Sequence, residues 1–145
     1  LIGQHITSDN NQLRLASGYD QCWVLKNNGY LKLVSKSFHE ASGRVLEVLT
    51  TEPGIQFYTG NHLSGFYNKH SGFCLETQHF PNSPNEPEFP TVILNPEDTY
   101  RSTTIFKFSN EYHQYQQGPM KCNGHGFDSE QSFASLSCLV GFNRF

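Results

Sequence analysis

The sequence has little charge and no long apolar run. Only 16% of its 145 residues are Asp, Glu, Lys or Arg, and the formal net charge is −3. A weakly acidic chain offers no electrostatic match to nucleic acid or to an anionic membrane surface, so we expect neither as a partner. No apolar stretch approaches the roughly 20 residues that a helix needs to cross a bilayer.

Sulfur is also scarce, with a single Met and four Cys. Cys122 and Cys138 lie near His125 in the sequence, but the chain has no Cys-x-x-Cys pair, so we expect no metal. Cys22 and Cys74 lie within apolar runs, where cysteine usually behaves as a small hydrophobic residue. Free thiols are typical of a reducing compartment, and the predicted location is therefore cytoplasmic.

Aromatic residues are plentiful, with 12 Phe and 7 Tyr, and together with β-branched residues they favour an all-β fold. Strand patterns recur about every ten residues, as in a β-sandwich or barrel. Residues 26–29 predict a hairpin-type turn, and residues 1–17 predict a connection without a helix. The predicted strands span residues 23–25, 30–35, 44–51, 55–59, 72–76 and 102–109.

The most informative stretch spans residues 72–90, where an apolar run leads into a carboxylate. Phe73, Cys74 and Leu75 precede Glu76, and prolines then follow at every third position from 81 to 90. Apolar neighbours would desolvate a carboxylate here, which suits a general base near neutral pH. The proline segment cannot continue a strand, so we expect an ordered loop over the site. On residue type alone, a solvated surface carboxylate is the more frequent role for Glu.

Residues 72–90 resemble the signature of the aldose 1-epimerase (galactose mutarotase) family. Residues 18–25 and 46–61 resemble two further blocks of this family, in the same order along the chain. The resemblance implies a galactose mutarotase-like β-sandwich, or supersandwich. Residues 1–109 would be the C-terminal portion of that domain, and 110–145 an extension without a recognised counterpart. The chain, which has no initial Met, would then begin inside a longer domain.

The family resemblance also implies a reaction, the interconversion of the α and β anomers of hexoses such as galactose and glucose. A base removes the proton of the C1 hydroxyl while an acid protonates the ring oxygen, so that the ring opens and recloses. Glu76 matches the catalytic base, Asp20 matches a carboxylate that binds sugar hydroxyls, and Gln56 would add a hydrogen bond. No metal or organic cofactor is implied. Without the resemblance, Asp20 would be interpreted as a turn cap and Gln56 as a solvent-facing strand residue.

Four aromatic residues near these positions could stack on a sugar ring, although strand aromatics more often pack in the core. They are Tyr19, Trp23, Phe57 and Tyr58.

The acid is the part of the implied site that the sequence lacks. The family's general acid is a histidine upstream of the matched region, and none of the seven histidines here occupies its position. His79 is expected only to line the proline loop. We therefore expect this chain alone to be weakly active or inactive as an enzyme. The missing N-terminal half could complete an epimerase, or the chain could be a non-catalytic carbohydrate-binding or incomplete fragment. Glycoside hydrolysis by Asp20 and Glu76 is a third alternative.

Overall fold

The structure is a computed structural model that describes residues 1–111 and 135–137. Strands dominate these residues, which confirms the all-β prediction. The helical elements are α1 (Ile2–His5), α2 (Asn11–Ala16) and a 3-10 turn (Ser83–Asn85). The strands are β1 (Asp20–Val24), β2 (Lys32–His39), β3 (Arg44–Thr50), β4 (Gly54–Tyr58), β5 (Cys74–Gln78), β6 (Thr104–Asn110) and β7 (Ser135–Ser137).

The strands form two antiparallel sheets, ordered β1-β4-β5 and β6-β3-β2-β7. A single apolar cluster joins the sheets, because it takes buried side chains from both of them. In β4, Ile55 and Phe57 lie in this cluster. Gln56 and Tyr58 alternate with them along the strand and lie on the opposite face of the sheet. The core members are Leu25, Val34, Val48, Ile55, Phe57 and Leu75.

The predicted hairpin across residues 26–29 is wrong. Strand β1 pairs with β4 and strand β2 pairs with β3, so the connection between β1 and β2 passes from one sheet to the other. Asn27 is only 2% exposed and fixes this crossing. Its Nδ2 donates to the backbone oxygens of Thr50 at 3.0 Å and Glu52 at 2.7 Å.

The N-terminal segment contains helices α1 and α2, where the sequence predicted none. The Asn10 side chain accepts a hydrogen bond from the backbone N–H of Gln12 at 3.0 Å and caps α2. Ser17 ends the helix in the left-handed conformation, with φ of 58°. Short polar side chains such as that of Asn10 suit turns and helix caps alike, so the sequence did not distinguish a helix here from a plain connection.

Strand β6 leaves two aromatic side chains largely in solvent. Phe106 and Phe108 pair with Val48 and Leu46 of β3, and therefore lie on the face that carries the core residue Val48. They are nevertheless 49% and 76% exposed. The core face of this sheet is thus only partly covered.

Residues 110–145, which the sequence predicts to be an extension of the domain, contain one complete described strand. Strand β7 pairs with β2, with Ser137 opposite Lys36. Cys122, His125 and Cys138 lie outside the described residues, so the expectation of no metal there is untested. Of the described helices, none combines the length and the apolar character that crossing a membrane requires.

Candidate active site

The three residues predicted for the site lie on one face of the β1-β4-β5 sheet. Gln56 is paired with Cys22 on one side and with Glu76 on the other, which forms a row across all three strands. Asp20 and Tyr58 belong to the neighbouring row on the same face. Side chains alternate between faces, so this polar face is turned away from the core side chains of β4.

Gln56 links two of these strands. Its Nε2 donates a hydrogen bond of 2.7 Å to Oδ1 of Asp20. Its Oε1 is buried and receives no hydrogen bond from the described residues. Buried polar atoms are nearly always paired, so this oxygen is an exception among the described residues.

Glu76 is exposed, so the prediction that its apolar neighbours would desolvate it is wrong. Leu75 and Thr77 are adjacent in sequence but point to the opposite face of β5, and Leu75 is in the core. The apolar residue next to Glu76 therefore packs into the core on the opposite face of the sheet and does not keep water away from Glu76.

The two described cysteines also differ from the prediction. Cys74 is exposed and Cys22 is half-buried, and both are free thiols. Burial raises the pKa of the Cys74 thiol, as do the charge of Glu76 and their hydrogen bond. Burial is also the main reason that the pKa of Cys22 is raised.

The back of β5 is held by a carboxylate that the sequence analysis missed, Glu52. Glu52 is 5% exposed, its Oε1 accepts a hydrogen bond from the Tyr100 hydroxyl, and its Oε2 lies 2.9 Å from Nδ1 of His79. Burial alone would raise the pKa of Glu52, but hydrogen bonds from Ser102 and Tyr100, and the charge and hydrogen bond of His79, lower it overall. The sequence signal that could have identified Glu52 is its position directly before Pro53-Gly54, within the family block at residues 46–61.

Three of the four aromatic residues that were candidates for sugar stacking pack in or against the core. Phe57 is buried, and the Tyr19 ring lies 5.2 Å from the Phe57 ring. Trp23 packs against the same cluster. Tyr58 lies on the polar face, where its ring stacks on His62 at 6.5 Å and its hydroxyl accepts a hydrogen bond from the His62 backbone N–H.

A cleft of about 670 Å³ lies beside β1, between α2 and the proline loop. Asp20 lines it, but Gln56 and Glu76 do not. The proline loop, residues 81–90, directly follows Phe80. The Phe80 side chain is buried and lies against Gly54 on the polar face. A Cβ on residue 54 would lie 3.0 Å from the Phe80 ring, so glycine permits this close approach. The loop therefore borders Asp20, while Glu76 stays open to solvent.

The histidines of the described residues have local roles. His79 pairs with Glu52, and His70 Nδ1 lies 2.8 Å from the backbone oxygen of Thr59. His62 borders the polar face, because its ring stacks on the Tyr58 ring. Within residues 1–111 and 135–137, no three His, Cys, Asp or Glu side chains are grouped to hold a metal ion.

Known proteins match this chain over a region that includes strands β1 to β5. The model of the aldose 1-epimerase family matches residues 2–107. Galactose mutarotase of Rattus norvegicus is 46% identical over 116 residues, which cover 74% of this chain and 32% of the rat protein. Galactose mutarotase of Homo sapiens is 50% identical over 101 residues, which cover 64% of this chain and 30% of the human protein.

A bacterial relative matches over a similar region. Aldose 1-epimerase of Escherichia coli K12 is 35% identical over 121 residues, which cover 77% of this chain and 35% of that protein. The chain thus spans about a third of the length of these curated relatives. The family match covers well over half of the chain, including every residue of the polar face described above. The chain belongs to the aldose 1-epimerase family.

Proposed function

We propose that the polar face of the β1-β4-β5 sheet is the base and sugar-holding part of an aldose 1-epimerase site that acts on hexoses such as galactose. The observation that carries this proposal is the placement of Asp20, Gln56 and Glu76 on one face of three neighbouring strands. The hydrogen bond from Gln56 to Asp20 supports a shared role for these two residues. The names of the relatives, which include galactose mutarotases, support the substrate class.

Each residue of the polar face has a chemical task in this proposal. The Glu76 carboxylate is open to solvent and takes the proton of the anomeric hydroxyl. Asp20 accepts hydrogen bonds from ring hydroxyls, and its orientation is fixed by Gln56. The amide of Gln56 adds a hydrogen bond to this part of the site, the one it donates to Asp20. When an acid protonates the ring oxygen, the hemiacetal opens, the C1 carbonyl rotates, and the ring recloses on its other face.

The proton donor is proposed to come from further polypeptide of the family domain. The chain spans only about a third of its relatives, and Phe106 and Phe108 are exposed on the face that carries core residues. Both findings support a larger assembled sandwich, in which residues 1–109 form the C-terminal portion and 110–145 an extension. A cytoplasmic location is part of the proposal, supported by the free thiols of Cys22 and Cys74.

Polarimetry of freshly dissolved α-D-galactose and α-D-glucose tests this function. The protein is compared with Glu76→Gln, and with Glu88→Gln as a control at an exposed position outside the polar face. With the further polypeptide of the family domain present, we expect acceleration over buffer that Glu76→Gln lowers by about 10²-fold or more and that Glu88→Gln leaves unchanged, whereas this chain alone should be weakly active or inactive. Equal rates for Glu76→Gln and the unaltered protein would overturn the role of Glu76.

A non-catalytic carbohydrate-binding role is the second candidate, favoured by the short span relative to the known enzymes. Calorimetry distinguishes it, since galactose would bind to the protein and to Glu76→Gln alike, without any acceleration of mutarotation. Hydrolysis by the Asp20–Glu76 pair is less well supported. The relatives are named galactose mutarotase and aldose 1-epimerase, which are not hydrolases.

A further inference from the structure

Glu76 has little support on its own face. Its side chain is exposed, and the contact described for it there is the Cys74 thiol. A general base must nevertheless be held within a fraction of an ångström of its working position. The support therefore has to come through the backbone of β5, from the side that faces away from the sugar.

The residues that flank Glu76 are anchored on that opposite side. Thr77 Oγ1 lies 2.7 Å from Thr104 Oγ1, and Thr104 Oγ1 lies 2.9 Å from Thr50 Oγ1. This chain of hydroxyls joins β5 to strands β6 and β3 of the other sheet. Thr50 Oγ1 then accepts a hydrogen bond from the backbone N–H of Glu52 at 3.0 Å.

The second anchor runs directly to Glu52. His79, which follows β5, places Nδ1 2.9 Å from Glu52 Oε2. Tyr100, just before β6, donates to Glu52 Oε1, and the rings of His79 and Tyr100 lie 5.9 Å apart. Glu52 is also tied through its backbone oxygen to the buried Asn27. The Glu52 carboxylate thus joins the end of β5 to the segment before β6, and its backbone oxygen adds the tie to Asn27.

We propose that Glu52 is a positioning residue for Glu76. Its carboxylate fixes the C-terminal end of β5 through His79. Its backbone N–H adds a second tie, to the hydroxyls of Thr50, Thr104 and Thr77, and Thr77 is the residue next to the base. The catalytic consequence rests on the proposed epimerase function, whereas the structural one does not. The ion pair between Glu47 and Lys107, at 2.7 Å, lies in the other sheet, and no such path to β5 is found for it within residues 1–111 and 135–137.

The test compares Glu52→Gln with Glu47→Gln, two changes of the same chemistry. Gln keeps the size of the side chain and removes the charge that pairs with His79. Amide hydrogen exchange across all strands is measured on both variants, together with the ¹³C resonance of the Glu76 carboxylate. We expect Glu52→Gln to speed exchange in β5 about tenfold, to leave β1 and β3 unchanged, and to shift the Glu76 signal. Glu47→Gln should change neither.

Activity provides the catalytic readout where the protein accelerates mutarotation. Glu52→Gln should then lower kcat about tenfold with KM unchanged, at a temperature where circular dichroism shows a fully folded variant. Unchanged exchange in β5, a uniform rise in all strands, or an unmoved Glu76 signal would overturn the positioning role. If the protein shows no mutarotation even when joined to the further polypeptide of the family domain, the proposed function fails, and the exchange and carboxylate measurements still decide the role of Glu52.

Discussion

The side chain of Gln56 donates a 2.7 Å hydrogen bond to Asp20, and the strand register places the same residue directly opposite Glu76. Gln56 is therefore the structural link between the two predicted carboxylates. Its Oε1 is buried and unpaired among the described residues, so the position of the side chain depends on the hydrogen bond that its Nε2 donates to Asp20.

Replacing this amide should weaken sugar binding more than it weakens the fold. Gln56→Met keeps the side-chain length but removes the bond to Asp20 and the acceptor. We expect the dissociation constant for galactose, measured by calorimetry, to rise about tenfold, which corresponds to one or two lost hydrogen bonds. Gln4→Met, at an exposed position on α1, is the control and should bind like the unaltered protein. Equal affinities for both variants would show that Gln56 does not contact the sugar.

Asn27 should be among the most sensitive polar residues of the fold. Its amide pairs with two backbone oxygens on the β3–β4 connection, and it is 2% exposed. Asn27→Ala leaves both oxygens buried without this donor, and we expect the free energy of unfolding to fall by about 2–4 kcal/mol. Urea denaturation measures this loss. Asn68→Ala, at an exposed position, should change stability by less than about 0.5 kcal/mol. Similar values for the two variants would contradict the anchoring role of Asn27.

Local patterns predicted the strands well but not their partners. Residues 44–51 and 55–59 were predicted as strands because β-branched and apolar residues alternate there, and β3 and β4 match them. The hairpin after Trp23 was wrong because the pairing of β1 is decided by Asn27, whose hydrogen bonds reach Thr50 and Glu52. A side chain that bonds over more than twenty residues leaves no periodic signal in the sequence.

The candidate site shows the same limit. Asp20, Gln56 and Glu76 came from a family resemblance, and the two-residue alternation of strands accounts for their common face. The same alternation should have predicted that Leu75 turns away from Glu76 and leaves it exposed. Glu52 was not identified because its partners His79 and Tyr100 are distant in sequence, and only the folded chain brings them together.

The exposed aromatic residues of β6 should cause self-association. Phe108 is 76% exposed on the core-bearing face of its sheet, next to Phe106. Apolar surface of this kind promotes association between molecules, and a strand at a sheet edge adds unpaired backbone groups. Phe108→Ser should therefore lower the apparent mass in concentration-dependent light scattering, with little change in the urea midpoint. An unchanged mass at every concentration would mean that this face does not drive association.

The stability of the protein should depend on Glu52 in acid. Burial would raise the pKa of this carboxyl, but hydrogen bonds and the charge of His79 bring it below its ordinary value of 4.5 in the folded protein. A lowered pKa contributes stability that is present above the ordinary value and is lost as the pH falls through the folded pKa. The stability advantage of the unaltered protein over Glu52→Gln should therefore be full at pH 7 and should shrink as the pH falls from about 5 to about 3.

Urea unfolding across this range measures the difference, and Glu88→Gln, at an exposed position, should track the unaltered protein within about 0.5 kcal/mol. An advantage that stays constant or widens in acid would show that Glu52 is not held as a charged group behind β5.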